Sequence, residues 1–194
     1  MSRGTLPGCP ESRCLLFLVG FMGSGKSTLG RALGGRPGWR YVDLDDLMEE
    51  RQGMTVSGIF ASRGEEWFRR EESLLLREAA SSAQPESGVV TVIGCGGGTP
   101  CHSGNMEWMN ARGVTVLLEA SEDVLLRRLL EARDQRPLLR GMDAARLREF
   151  IRSRQAARAP YYGKASLRLC SDLLESEEQI ARTVGDFLRL TGLD

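Results

Sequence analysis

The stretch Cys14–Leu33, CLLFLVGFMGSGKSTLGRAL, decides the fold. Its first six residues, Cys14–Val19, are continuously apolar, as a strand covered on both faces must be. Gly20-Phe-Met-Gly-Ser-Gly25-Lys26-Ser27 then fits the pattern G-x-x-x-x-G-K-[ST]. Glycines let such a backbone curl until successive N–H groups face one anion, and the helix expected over Lys26–Leu33 adds the positive end of its dipole. Strand, loop and helix in that order give the motif its confirming context. A nucleoside triphosphate is therefore expected here, with Gly23, Ser24, Gly25 and Thr28 around the phosphates. Lys26 would reach the β- and γ-phosphates, and Ser27 would ligate Mg2+.

Working outward, short apolar runs alternate with longer amphipathic ones. Arg40–Val42, Val89–Ile93, Val114–Leu118 and Leu167–Cys170 read as further strands. Helices are expected over Asp45–Arg51, Thr55–Ser62, Glu65–Ser81 and Asn105–Ala111. Ser121 can cap another, Asp143 a further one running to about Ala157, and Ser176–Leu190 closes the chain. Pro160 is expected to end the helix that carries Arg158. Strands alternating with helices mean an α/β fold whose parallel sheet is covered on both faces.

The 194 residues suit one domain, 14–194, behind a short leader, 1–13. Lys plus Arg (26) balances Asp plus Glu (26), so no basic face for nucleic acid or anionic lipid is signalled. The apolar run after the leader is too short for a membrane span or a signal peptide. Five cysteines without a CxxC pair, and one histidine, His102, point to reduced thiols in a cytoplasmic protein.

Several clusters could serve the acceptor. Asp43 and Asp45 close the second strand; residues two apart on a strand point the same way, so both could face the phosphate loop. They also read as a capping cluster. Arg69 and Glu72 can pair on one helix face, for which a solvated charged face is the better local reading. Gly96, Gly97 and Gly98 follow the third strand, either for close approach of a substrate or as a connector. Arg136 lies in Asp134–Gly141, a loop with little apolar material, able to close over phosphates as a lid. Arg158 could bind a carboxylate or stabilise a helix end.

The order of these motifs resembles shikimate kinase from about Leu15 to Leu190. The resemblance rests on GFMGSGKST at 20–28, DLD at 43–45, GEEWFR with Glu72 at 64–72, GGG at 96–98, RPLL at 136–139 and RAPYY at 158–162. GGGTPCHSGNMEWMN at 96–110 is similar to forms of the family found in the Bacteroidetes group. The resemblance implies a nucleoside-monophosphate-kinase-like P-loop NTPase fold: three α/β/α layers around five parallel strands in order 2-3-1-4-5. It implies ATP-dependent phosphorylation of the 3-hydroxyl of shikimate, toward chorismate and the aromatic amino acids; separately, a monomer acting on shikimate and ATP is expected. Asp45 would bind the substrate hydroxyls and act as base, Asp43 would stand near Mg2+, and Arg69 and Arg158 would grip the carboxylate. Gly97 would contact substrate through its backbone, Arg136 would meet the phosphates, and Arg128 would stack on adenine.

Gly58 departs from the family's usual acidic residue, and the spacing from Arg127-Arg128 to Arg136 is shifted by one. A kinase for gluconate or a nucleoside monophosphate on the same scaffold is the first alternative, and a nucleotide switch is the second. The Asp45, Arg69 and Arg158 set suits a hydroxy acid, and no N-K-x-D guanine motif is present.

Overall fold

A computed structural model describes residues 15–83, 88–133 and 136–193. The leader, Cys14, and Asp134 and Gln135 of the expected lid lie outside the described residues. Five parallel strands, β1 (Leu15–Gly20), β2 (Trp39–Asp43), β3 (Val90–Gly94), β4 (Val114–Glu119) and β5 (Leu167–Cys170), form one sheet in the order β2-β3-β1-β4-β5. The helices are α1 (Lys26–Gly34), α2 (Leu44–Gln52), α3 (Val56–Ser81), α4 (Asn105–Asn110), α5 (Glu122–Glu131), α6 (Ala144–Tyr162) and α7 (Glu177–Thr191). Among the described residues no helix is long and apolar enough to cross a membrane.

Alternation along β1 divides the core. Leu15, Phe17 and Val19 join Leu44, Phe68, Leu75 and Ile93 on one face, while Leu16 and Leu18 join Leu29, Leu33 and Phe187 on the other. A third cluster holds Phe21, Leu125, Leu129, Leu139, Leu147 and Ile151 beside the carboxyl end of the sheet. Asp43 pairs in register with Gly94, and Gly94 with Leu18, so the ends of β2, β3 and β1 lie level beneath one cleft.

The structure revises several local expectations. Asp45 is not on the strand: β2 stops at Asp43, which caps α2 by accepting a bond from the Asp45 amide at 3.1 Å. A short side chain that satisfies an orphan helical N–H ends the extended backbone at that point. The two helices expected before and after Gly64 are, by contrast, borne out: α3 is two helices separated at Gly64, where φ 80° and ψ 169° are open to glycine. Pro160 does not end α6, which continues to Tyr162. Proline forfeits the bond its own amide would make, and the bonding beyond it resumes, with the Gly163 amide donating to Ala159 O at 2.8 Å. Ser121 occupies the N-cap position of α5 without a side-chain cap; its amide donates instead to Asp172 Oδ1 at 2.7 Å. Gly58 is tolerated in the first turn of α3, where its amide donates to Thr55 Oγ1 at 3.2 Å. The lid segment also holds more apolar anchorage than expected. Leu139 is fully buried in the third cluster, while its neighbour Leu138 is 71% exposed.

Tyr41 sits in a slot made by three glycines. A Cβ at Gly30 would stand 2.1 Å from ring carbon Cε2, one at Gly34 2.6 Å from the tyrosine Cβ, and one at Gly94 2.4 Å from the phenol oxygen. Gly30→Ala is therefore expected to destabilise the fold by about 1–3 kcal/mol through overpacking. Alanine's better helix propensity, worth about 1 kcal/mol, works in the opposite direction. Urea unfolding measures the net effect; equal or greater stability would show that the ring has room to yield.

Candidate active site

The phosphate loop connects the buried end of β1 to the first turn of α1. Gly25 adopts φ 89° at the N-cap of α1, and a Cβ there would lie 2.3 Å from Leu174 Cδ1, so this position needs glycine for both conformation and space. Lys26 Nζ folds back to donate to the carbonyls of Gly20 and Phe21, each at 2.9 Å. Arg128 braces the other side of the loop, with Nη1 donating to Gly23 O at 3.2 Å and to Ser171 O at 3.1 Å. Its Nη2 reaches Asp172 O at 3.0 Å. Two cations thus hold three carbonyls of the loop, those of Gly20, Phe21 and Gly23.

That cleft encloses about 300 Å³. Gly23, Gly25, Lys26, Ser27, Thr28, Asp43, Asp45, Gly96, Gly97, Arg128 and Arg136 all line it, together with Leu129 and Leu174. Ser24, the remaining loop residue expected at the phosphates, is buried with its hydroxyl unpartnered, and its amide is bonded to Phe21 O at 3.1 Å.

Both carboxylates of the DLD motif reach the cleft, although not by strand alternation. Asp43 gets there as the last strand residue and Asp45 from the first turn of α2. Asp45 opens onto the cleft while protein closely surrounds it. Burial, reinforced by the neighbouring Asp43 and Glu72 carboxylates, pushes its carboxyl up to about 6. Burial lowers the Lys26 ammonium to about 8 against the pull of Asp45 and Asp43. Ser27 Oγ donates to Asp43 Oδ2 at 2.8 Å. A hydroxyl and a carboxylate side by side are hard oxygen donors, and they fit a magnesium ion that keeps its other positions for water and phosphate oxygens. Among the described residues no set of three His, Cys, Asp or Glu forms a metal cage.

Gly96, Gly97 and Gly98 are the meeting point of the acceptor residues. A Cβ at Gly96 would lie 2.6 Å from Glu72 Oε1 and 3.2 Å from Asp45 Oδ1. One at Gly97 would lie 2.9 Å from Arg158 Nη1, and one at Gly98 2.6 Å from Arg69 Nη2. The run is a close-approach element rather than a loose connector. Arg69 and Glu72 are likewise not a solvated face. Glu72 is 2% exposed and accepts from Arg69 Nη1 at 2.8 Å and from Thr99 Oγ1 at 2.5 Å. Arg69 lies over the rings of Phe68 and Phe60, and Arg158 over Phe21. Arg158 Nη1 is buried without a hydrogen-bond partner.

Sequence reading missed four contributors. Tyr162 donates to Gly97 O at 2.7 Å, Thr99 holds Glu72, Leu174 presses on Gly25, and Tyr41 donates to Asp43 Oδ2 at 2.6 Å. Tyr162 and Thr99 carried a signal, being part of RAPYY and of the stretch 96–110; Leu174 acts across the fold, and Tyr41 lies two residues before Asp43 outside any motif.

Because kcat/KM reports the free enzyme's groups, its pH profile should be bell-shaped. The acid limb, where Asp45 gains its proton, is expected near 6, and the alkaline limb, where Lys26 loses its own, near 8. A rate that holds down to pH 4 would contradict the raised carboxyl of Asp45.

A family model described as shikimate kinase matches residues 22–189. The shikimate kinase of Phocaeicola vulgatus is 42% identical over 174 residues, covering 90% of this chain and 95% of that one. A crystal structure of shikimate kinase from Bacteroides thetaiotaomicron superposes with a TM-score of 0.86 at 41% identity, covering 92% of this chain and 98% of the other. The Acinetobacter baumannii enzyme, solved in complex with shikimate, gives 0.76 at 28% identity over 94% and 95%.

Proposed function

Because this chain belongs to the shikimate kinase family, and so catalyses ATP-dependent phosphorylation of shikimate in the pathway to the aromatic amino acids, we propose the following division of labour in its cleft. The observation that carries the acceptor side is Arg158 Nη1, a buried cationic donor left without a partner beside Gly97. Such a group is costly unless an anion reaches it. The substrate carboxylate is that anion, held between Arg158 and Arg69. Glu72 turns Arg69 toward it, and the backbone of Gly96–Gly98 closes against the ring. Asp45 meets the ring hydroxyls.

ATP places its phosphates on Gly23–Thr28, and Lys26 exchanges its two carbonyl partners for phosphate oxygens. Arg128 and Leu174, which both line the cleft, flank the room for adenine. Magnesium, held by Ser27 and Asp43, would screen the phosphate charge. Asp45, ionised above about pH 6, accepts the proton of the 3-hydroxyl. The hydroxyl oxygen bonds to the γ-phosphorus as the bond to the ADP oxygen breaks, giving shikimate 3-phosphate. Lys26 and Arg136 stabilise the charge that develops on the transferring group. Arg136 stands exposed at the rim, in a segment that acts as a lid pinned at Leu139. The single domain works as a cytoplasmic monomer on small molecules, without nucleic acid; balanced charge supports the last point.

A coupled assay for ADP release with shikimate, against quinate and gluconate, tests the substrate, and 31P NMR of the product tests the position phosphorylated. Asp45→Asn should lower kcat by about 10²–10⁴ while ADP still binds. Arg158→Ala should raise the KM for shikimate by roughly 10- to 100-fold and leave that for ATP nearly unchanged. An equal effect on both substrates would make Arg158 a structural residue.

The lid reading predicts faster amide hydrogen exchange across 136–143 in the free enzyme than with ADP and shikimate bound. Equal protection in both states would mark a rigid connector.

A further inference from the structure

No motif of the sequence includes Tyr41, yet Gly30, Gly34 and Gly94 all make room for it. It precedes Asp43 by two residues on β2, so both side chains leave the strand on one face. Its hydroxyl donates to Asp43 Oδ2 at 2.6 Å, and Ser27 Oγ donates to the same oxygen at 2.8 Å. The Asp45 amide donates to the other oxygen, Oδ1, at 3.1 Å. Three donors therefore fix both torsions of a short side chain. Two of them, Ser27 and Asp45, belong to elements that meet substrates. Tyr41 is the one that holds Asp43 from behind the cleft.

Ring packing alone does not account for this arrangement. Tyr41 contributes to the apolar cluster under α1 and α7, as a phenylalanine would. The Cβ position of Gly94, however, is closest to the phenol oxygen itself, at 2.4 Å, with ring carbons at 3.1 Å. That glycine clears space for the hydroxyl. A phenol ordinarily ionises only at about pH 10, so its hydroxyl is a donor across the working pH.

We propose that Tyr41 is a positioning residue: its hydroxyl orients the Asp43 carboxylate toward the hydrated magnesium of the bound nucleotide. This rests on the reading of Ser27 and Asp43 as the metal-side donors. A donor behind a ligating carboxylate fixes its orientation, and its loss typically weakens metal binding.

Calorimetric titration of ADP, once in excess Mg2+ and once in EDTA, isolates the gain that the metal confers. It would be run on the wild type, Tyr41→Phe, Asp43→Asn and the double variant. Tyr41→Phe keeps the ring in its slot, and its thermal midpoint should shift by only a few degrees. Its Mg2+-dependent gain is expected to fall roughly 3- to 10-fold, with ADP affinity in EDTA within about twofold of wild type. In the Asp43→Asn background, removing the hydroxyl should cost nothing further, since the two residues act as one unit. Equal weakening with and without metal would make Tyr41 a packing residue and overturn the proposal. So would an unchanged gain in Tyr41→Phe alongside a reduced one in Asp43→Asn. If Asp43→Asn itself leaves the gain intact, the metal-side reading of Asp43 is what fails, and the role of Tyr41 falls with it.

Discussion

A loop that turns its amides inward to meet an anion must turn its carbonyls outward, and those carbonyls have to be bound by something. This constraint organises much of the molecule. Lys26 takes two of them, on Gly20 and Phe21, and Arg128 takes that of Gly23. Arg128 also holds Ser171 and Asp172, so the segment after β5 is tied to the loop by the same guanidinium. That tie sets Leu174 against Gly25 and gives the cleft its apolar wall. An arginine on α5 thus links the turn after the first strand to the segment after the last one.

The acceptor side meets the opposite problem: charged groups must be kept ready in a place where they are poorly hydrated. Glu72 is buried but paired, with Arg69 and Thr99 saturating its oxygens. The network extends through Asn105, which donates to Ser73 Oγ and to Thr99 O, each at 3.0 Å. Breaking a buried pair of this kind typically costs about 3–5 kcal/mol, because it strands the remaining charge. The arginine side chain therefore has one stable orientation before any substrate arrives, and the entropy of ordering it is not lost at binding.

Much of this was legible in the sequence because it is local. Apolar runs gave the strands, the glycine pattern gave the phosphate loop, and Asp143 and Ser176 marked helix starts where they indeed cap. Residue types also marked the cleft. Besides the Ser121 cap and the Pro160 stop, what failed were inferences from spacing about where a side chain points. Asp43 and Asp45 share the cleft because a helix begins between them, which period-two reasoning cannot see. Glu72 looked exposed on its own helix because its partner Thr99 lies 27 residues away. Tyr41 reads as an ordinary strand residue until three glycines from α1 and β3 are folded around it.

Leu139 gives the segment that carries Arg136 a mechanical character. With that leucine buried in the core of α5 and α6, the proposed lid is a short lever whose fulcrum lies three residues from its guanidinium. A long flap trades a tight seal against slow release, since every contact made on closing must be undone to free the product. A short lever escapes most of that trade. It swings a single charge over the phosphates and back without drawing any core side chain out of place, so gating can be frequent while the fold beneath it stays still.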